Sequence, residues 1–482
     1  MAILDFRKII FGKTDASAER EEYPKLLLDG YLDVDNVVHK ASETTKFLFL
    51  GRKGSGKTAL SEHLSLKSDD NFRVSIQTLN KFPYKNFSKI ISGDYEAEVK
   101  ARKSWRWLLL VKTLSILMDD ADATTEMRSE LEGVVSLLTQ AGLFPVLDIG
   151  SMVSKSSTNN FKVNIQCFSA EHSTTRENAA VSLEMVIDYV EKLALSYRES
   201  TPHLLIIDGL DDILTTRDDQ YIAIAALINE VKELNQLFNR QQIPFKVIVL
   251  CRTDIFERLP DPNKNKLRRD NAYDFNWYQE GTDNQQNCGL IKIANIRARM
   301  HYPEIDNVFD YFFPASFYNS DTRTALLAMT RHTPRDFMQL LVSIQNQCNG
   351  YKVTMAEIEK GFKDYSSNYF VPEIKDEMAG YISVAHQDPI FHLLASFHKR
   401  EITFNEFEGK FRASRTLASC KLSAQDVCNV LYDCSAIGQI YQYGKKSDEV
   451  NVTFKFRNIY SSFNPDDKIF IHKGLWKVLD LH

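Results

Sequence analysis

The chain has 482 residues, 44% of them hydrophobic and 26% charged, with 59 Lys+Arg against 64 Asp+Glu and a formal net charge of -5. At roughly 150 residues per domain that length suggests about two to four domains, and so small a charge excludes both wholesale disorder and a uniformly basic nucleic-acid binder. No apolar run reaches the ~18 residues of a membrane span, and the opening MAILDFRKIIFGKTD lacks a secretory pattern, so a cytoplasmic protein is expected.

Residues 1–40 are of mixed composition and are expected to lead into the first domain, placed at 41–282. Lys46 to Leu50 predicts a short apolar strand, followed by a glycine-rich turn and a helix from Lys57 to Leu66. Residues 72–78 predict a second strand. A long helical insertion is expected over about 80–200, with Trp105 and Trp107 as core anchors on an amphipathic helix, a strand-like FKVNIQCF and a helix from Thr175 to Tyr197. His203 to Asp208 and Phe245 to Cys251 predict apolar strands, and Ala272 to Phe275 a short one. Strands alternating with helices imply a parallel sheet covered on both faces, an α/β fold.

From 283 to 370 the pattern is helical, which predicts a lid domain, and from 371 to 482 it changes again. Helical periods at Ile390–Phe397, Phe404–Phe411 and Ala424–Tyr432 precede strand-like segments at Ile437–Tyr443, Val450–Phe456 and Lys468–Ile471, the order of a winged helix. Its presumed recognition helix carries Asp426 and Asp433 and no base, and basic and acidic residues nearly cancel from His386 onward. A second copy of the chain or a partner protein is therefore the expected occupant, ahead of DNA. Lys410, Arg412, Arg415, Lys421 and Lys445-Lys446 keep a DNA contact open.

The chemistry begins at Gly51-Arg52-Lys53-Gly54-Ser55-Gly56-Lys57-Thr58, which fits G-x-x-x-x-G-K-[ST] between a strand and a helix. Glycines let backbone N–H groups curl around phosphate oxygens, and the helix adds its positive end. Gly51, Gly54, Ser55, Gly56, Lys57, Thr58 and Ala59 are expected to line ATP, with Lys57 on the β- and γ-phosphates and the Thr58 hydroxyl on Mg²⁺. Asp208, ending an apolar strand, is the expected second carboxylate on that Mg²⁺. Asp211 or Asp212 is expected to orient or deprotonate the attacking water, or to stand as an exposed turn acid.

Asp208-Gly209-Leu210-Asp211-Asp212 resembles the Walker B of NACHT-type STAND ATPases, with Asp212 where that family usually has Glu. The shorter side chain implies a slow nucleotide switch rather than brisk turnover. The resemblance implies a γ-phosphate sensor at the end of the next strand, which falls on Arg252. His332-Thr333-Pro334-Arg335-Asp336 is similar to the lid helix of AAA+ and STAND ATPases, with His332 in place of the usual glycine. That implies Pro334 and Arg335 near the nucleotide, with a surface arginine paired to Asp336 or Asp364 as the alternative. Arg258, Arg268 and Arg269 are candidates for a finger reaching a neighbouring subunit, or solvated loop cations. The resemblance extends to bacterial P-loop ATPases with a winged-helix tail and implies an oligomer acting in antiviral defence or stress signalling. A DNA-bound initiator or loader is the second reading. The seven cysteines form no CxxC pair and no metal-ligand spacing with histidine, so reduced thiols and no metal cluster are expected.

Overall fold

The computed structural model describes residues 4–80, 82–91, 94–118, 132, 136, 138–139, 148–157, 183–195, 201–210, 218–281, 285–441 and 451–482. Two compact units are present, one formed by 33–53 with 57–275, the other by the N-terminal residues to 32, 54–56 and 276–482.

The first unit is built on five parallel strands, β1 (Leu48–Gly51), β2 (Arg73–Thr78), β3 (His203–Asp208), β4 (Phe245–Arg252) and β5 (Ala272–Phe275), in the order β2-β3-β4-β1-β5. The expected α/β parallel sheet is thus observed. β3 is buried at every residue and β4 at all but one, as their unbroken apolar runs require of strands covered on both faces. Register aligns Gly51 with Arg252 and Thr78 with Asp208, so the C-terminal ends of β1, β3 and β4 emerge at one edge. Open parallel sheets bind ligands at that edge, because loops and helix N-termini collect there. Helices Ala97–Met118, Ile149–Ser156 and Leu183–Leu195 occupy described parts of the insertion. Trp105 and Trp107 are buried, as expected, their indole N–H groups donating to the Ala223 carbonyl at 2.8 Å and to Ser156 Oγ at 3.2 Å. The segment FKVNIQCF lies outside the described residues.

The second unit is mostly helical. The N-terminal residues to 32 belong to this unit, and those from 33 to the sheet unit. Phe6, Ile9 and Phe11 pack into one apolar core with Phe312, Phe337 and Leu481, and Gln345 Nε2 donates to the carbonyls of Phe6 and Ile9 at 2.7 and 2.8 Å. Arg297 pairs with Glu19 at 2.8 Å, both nearly buried. Helix Gly289–His301 is followed by Val308–Phe312, the small strands β6 (Ser316–Phe317) and β7 (Ser320–Asp321), and helices Thr322–Leu327 and Pro334–Gln345. Helical structure is unbroken from Met355 through the π-turns Ser366–Phe370 to Met378, so position 370/371 lies within it. Beyond it, helix Val384–Ala395, strand β8 (Glu401–Ile402), helices Phe404–Ala413 and Ala424–Asp433, and strands β9 (Ile437–Tyr441), β10 (Asn451–Thr453) and β11 (Lys468–Ile471) form an α+β assembly. Its antiparallel sheet runs β10-β9-β11-β8.

A charged cluster is sealed inside this unit. Arg331 grips Asp336 through Nε at 2.9 Å and Nη2 at 3.0 Å, and Glu377 through Nη1 at 2.5 Å, while Tyr369 Oη donates to Asp336 at 2.9 Å. Burial alone would raise the Asp336 pKa, but the Arg331 charge and its hydrogen bonds outweigh that and hold it down at about 2. His332 lies beside the cluster, stacked on Phe456 with ring centroids 5.3 Å apart. Burial, with the Arg457 charge, pushes His332 down to about 3, and burial pushes His472 well below its usual range.

These two histidines dictate acid lability. In the unfolded chain each takes up a proton near pH 6.5, whereas in the folded unit His332 resists protonation until about 3. Between those values the unfolded state binds more protons, so the stability present above pH 6.5 is lost as pH falls. The expected slope is on the order of 1 kcal/mol per pH unit for each histidine. Urea midpoints measured from pH 7 to pH 4 should fall steadily, and a flat profile would contradict the burial of both rings.

Candidate nucleotide site

β1 delivers the chain into the glycine loop, and helix Lys57–Leu66 carries it away. Gly54 and Gly56 have φ of +78° and +96°, the left-handed region that side chains other than glycine disfavour. A Cβ on Gly54 would also stand 3.0 Å from Arg335 Cβ and 3.2 Å from Thr333 Oγ1. Lys57 is nearly buried, and its Nζ donates to the carbonyls of Gly51 at 3.0 Å and Arg52 at 3.2 Å, curling back over the loop. Thr58 Oγ1 donates to Asp208 Oδ2 at 2.9 Å. Two residues 150 positions apart, expected to share one cation, are therefore brought into contact. Asp208 Oδ1 also accepts from the Gly209 N–H at 2.7 Å, which fixes the carboxylate plane.

Arg252 stands opposite Gly51 in the β1–β4 register. Its guanidinium is buried and folded back in a fork on Asp254, at 2.9 and 2.7 Å. Arg268 pairs with Asp274 and Glu257 within its own unit, whereas Arg258 and Arg269 are exposed. Asp211 and Asp212 lie outside the described residues. Ala59, next along the helix, is half-buried.

The loop tip, residues 54–56, belongs to the helical unit. There the Arg335 N–H donates to the Gly54 carbonyl at 3.3 Å, and Pro334 opens the helix that Thr333 caps. Arg335 takes neither of its expected surface partners. Its guanidinium is 3.8 Å from Glu373, while Asp336 belongs to Arg331. His332 has φ +52°, a left-handed position that a non-glycine residue seldom takes.

Trp277 was not foreseen. Its indole Nε1 donates to the Ser55 carbonyl at 2.8 Å. The signal in the sequence was its place two residues after β5, in a segment that reads as plain linker. Replacing it with Phe keeps the ring and removes the donor. Trp277→Phe is expected to weaken ATP binding by roughly five-fold, the worth of one neutral hydrogen bond of about 1 kcal/mol. Calorimetric titration of both proteins with ATP measures this, and equal affinities would remove Trp277 from the loop's support.

Whether the residues suit a nucleotide can be tested on the loop itself. Ser55 is 2% exposed and its Oγ has no hydrogen-bond partner among the described residues. Around a Cβ placed on Gly56 nothing lies within 4 Å. An orphaned buried hydroxyl beside an open, positively lined backbone curl fits a group rich in acceptor oxygens.

No protein-family model matches the chain, and no curated protein does. Among solved structures, the crystal structure of Cdc6p from Pyrobaculum aerophilum is similar over 98% of this chain and 95% of its own, with 13% identity and a TM-score of 0.31. Among the described residues no helix is long and apolar enough to cross a membrane, and no group of three or more metal-ligating side chains occurs.

Proposed function

We propose that the chain is an ATP-binding and ATP-hydrolysing switch of AAA+ or STAND type, which uses Mg²⁺-ATP to control assembly or partner binding. The contact between Thr58 and Asp208 carries this reading, because it joins the hydroxyl and the carboxylate that such a site places on one Mg²⁺. Mg²⁺-ATP supplies a γ-phosphoryl group whose transfer to water is assisted by charge neutralisation at the phosphate oxygens.

The chain's own residues hold and orient. Backbone N–H groups of 54–58 would hold phosphate oxygens, and Lys57, now on two loop carbonyls, would exchange them for that phosphate. Arg252 reads the γ-phosphate only after leaving Asp254, so sensing costs a short ion pair. Arg335, with one nearby acid at 3.8 Å, is the lid cation, and Pro334 sets the helix that presents it. The water is oriented by Asp211 or Asp212, and the short Asp212 makes turnover slow.

The C-terminal α+β assembly we read as a winged helix that docks protein. On helix Ala424–Asp433 the apolar side is buried, and the exposed positions are Gln425, Asp426 and Asp433. Carboxylates there oppose approach to phosphates. Arg412 pairs with Glu408 at 2.8 Å, which offsets its charge, and Lys410 is engaged by the Ser396 carbonyl. Domains are taken as 1–40, 41–282, 283–370 and 371–482, and the setting as bacterial antiviral defence or stress signalling in the cytoplasm, with effector chemistry on another chain.

The test is the mass of the purified protein in solution with ADP, with ATP and with a non-hydrolysable analogue. A nucleotide-dependent change of mass is expected. A constant mass, together with tight DNA binding that weakens steeply with salt, would support the DNA-bound initiator instead.

A further inference from the structure

The opposite edge of the parallel sheet, away from the P-loop, contains a cavity of about 530 Å³ that the nucleotide reading does not use. It is lined by the start of β3 and β4, the segment before β1, and one face of helix Asp218–Arg240. Its volume lies within the range of small-molecule sites. Phe47, Phe72 and Phe245 supply apolar wall, and Lys232 and Lys246 supply charge.

Lys246 is out of place by the logic of its strand. β4 reads FKVIVLCR, and a parallel strand covered on both faces should be apolar there. Its Nζ donates to the carbonyls of Lys40 at 3.1 Å and Thr44 at 2.6 Å, at the end of helix Val37–Ser42. Capping that helix end explains two of the three N–H donors and a favourable dipole. It supplies no counter-charge. Among the described residues no carboxylate forms an ion pair with Lys246 or Lys232. The bordering acids are exposed: Asp270 lies at the rim, and Glu43 faces His39 at 3.4 Å. Burial without a matching charge pushes the Lys246 ammonium down to about 7.

We propose that this cavity is a second ligand site, which takes a small organic carboxylate with an apolar, aromatic body. The anion sits on the third N–H of Lys246, and the body lies against Phe47, Phe72 and Phe245. Lys232, half-exposed on the helix, adds attraction at the mouth.

Benzoate is the probe, with benzyl alcohol as its uncharged counterpart, each titrated into the full chain at pH 7 by calorimetry or ligand-observed magnetic resonance. Benzoate should bind at least about ten-fold more tightly than benzyl alcohol. Lys246→Met should weaken benzoate by about ten-fold or more, with ATP affinity unchanged. Lys246→Gln retains a donor for the Lys40 and Thr44 carbonyls, so it separates lost charge from a damaged helix cap, and it too should lose benzoate. The proposal is overturned if benzoate does not bind at about 10 mM, if the two probes bind equally, or if both Lys246 variants bind benzoate as the parent does. None of these outcomes depends on whether the P-loop takes ATP.

Discussion

Lys57→Ala is expected to lower ATP affinity by about a hundred-fold or more in calorimetric titration, with the fold intact by circular dichroism. Lys57 is 5% exposed, and among the described residues its ammonium is bonded only to backbone carbonyls that water or a shifted loop can satisfy. Removing it therefore costs little in the unliganded protein. With phosphate present the balance differs, because each charge-assisted hydrogen bond to a phosphate oxygen contributes about 1.5–3 kcal/mol, and one lysine makes up to about two of them. The neighbouring Lys53 and Arg52 cannot substitute from their half-exposed positions. ATP bound by Lys57→Ala as tightly as by the parent would show that the nucleotide assignment is wrong.

Asp336→Ala is expected to destabilise the helical unit by about 3–5 kcal/mol. Arg331 is 3% exposed and would keep its charge with Glu377 as the remaining partner, while Tyr369 Oη loses its acceptor. The Arg331 backbone N–H also loses a bond of 3.1 Å, so the turn into helix Pro334–Gln345 loosens with the ion pair. For a unit of this size that cost lowers the melting temperature by roughly 10 °C. The double variant Arg331→Met with Asp336→Leu should lose less than the sum of the two single changes, because no charge is left stranded. Additive losses would mean that the two residues act separately, against the geometry.

Much of this was legible in the sequence because it rests on local pattern. Apolar runs announced β1, β3 and β4, and the glycine spacing announced a loop whose left-handed turns at Gly54 and Gly56 only glycine adopts freely. Asp208 was placed by its position at a strand end. The pairing of Asp336 was not legible. Arg331 and Arg335 both precede it in sequence, and the more distant Arg331 reaches it because His332 turns the chain left-handed just before the cap. Trp277 was missed for a similar reason, since its partner Ser55 lies 222 residues away. The docking of Phe6 and Phe11 was missed because a short apolar stretch without a repeating period does not say which core it joins.

That docking has a consequence for how the chain is made. The helical unit draws its core from residues near position 6 and from residues from 288 onward, while the entire sheet unit lies between them in sequence. As the chain leaves the ribosome, 33–275 can close on itself while Phe6, Ile9 and Phe11 still wait for Phe312 and Phe337 to be synthesised. The glycine loop's tip, at 54–56, must wait with them for Trp277 and Arg335. A shortened product ending near residue 275 would therefore expose three unpartnered apolar side chains and an unsupported phosphate loop, and would be a target for chaperones rather than a working fragment.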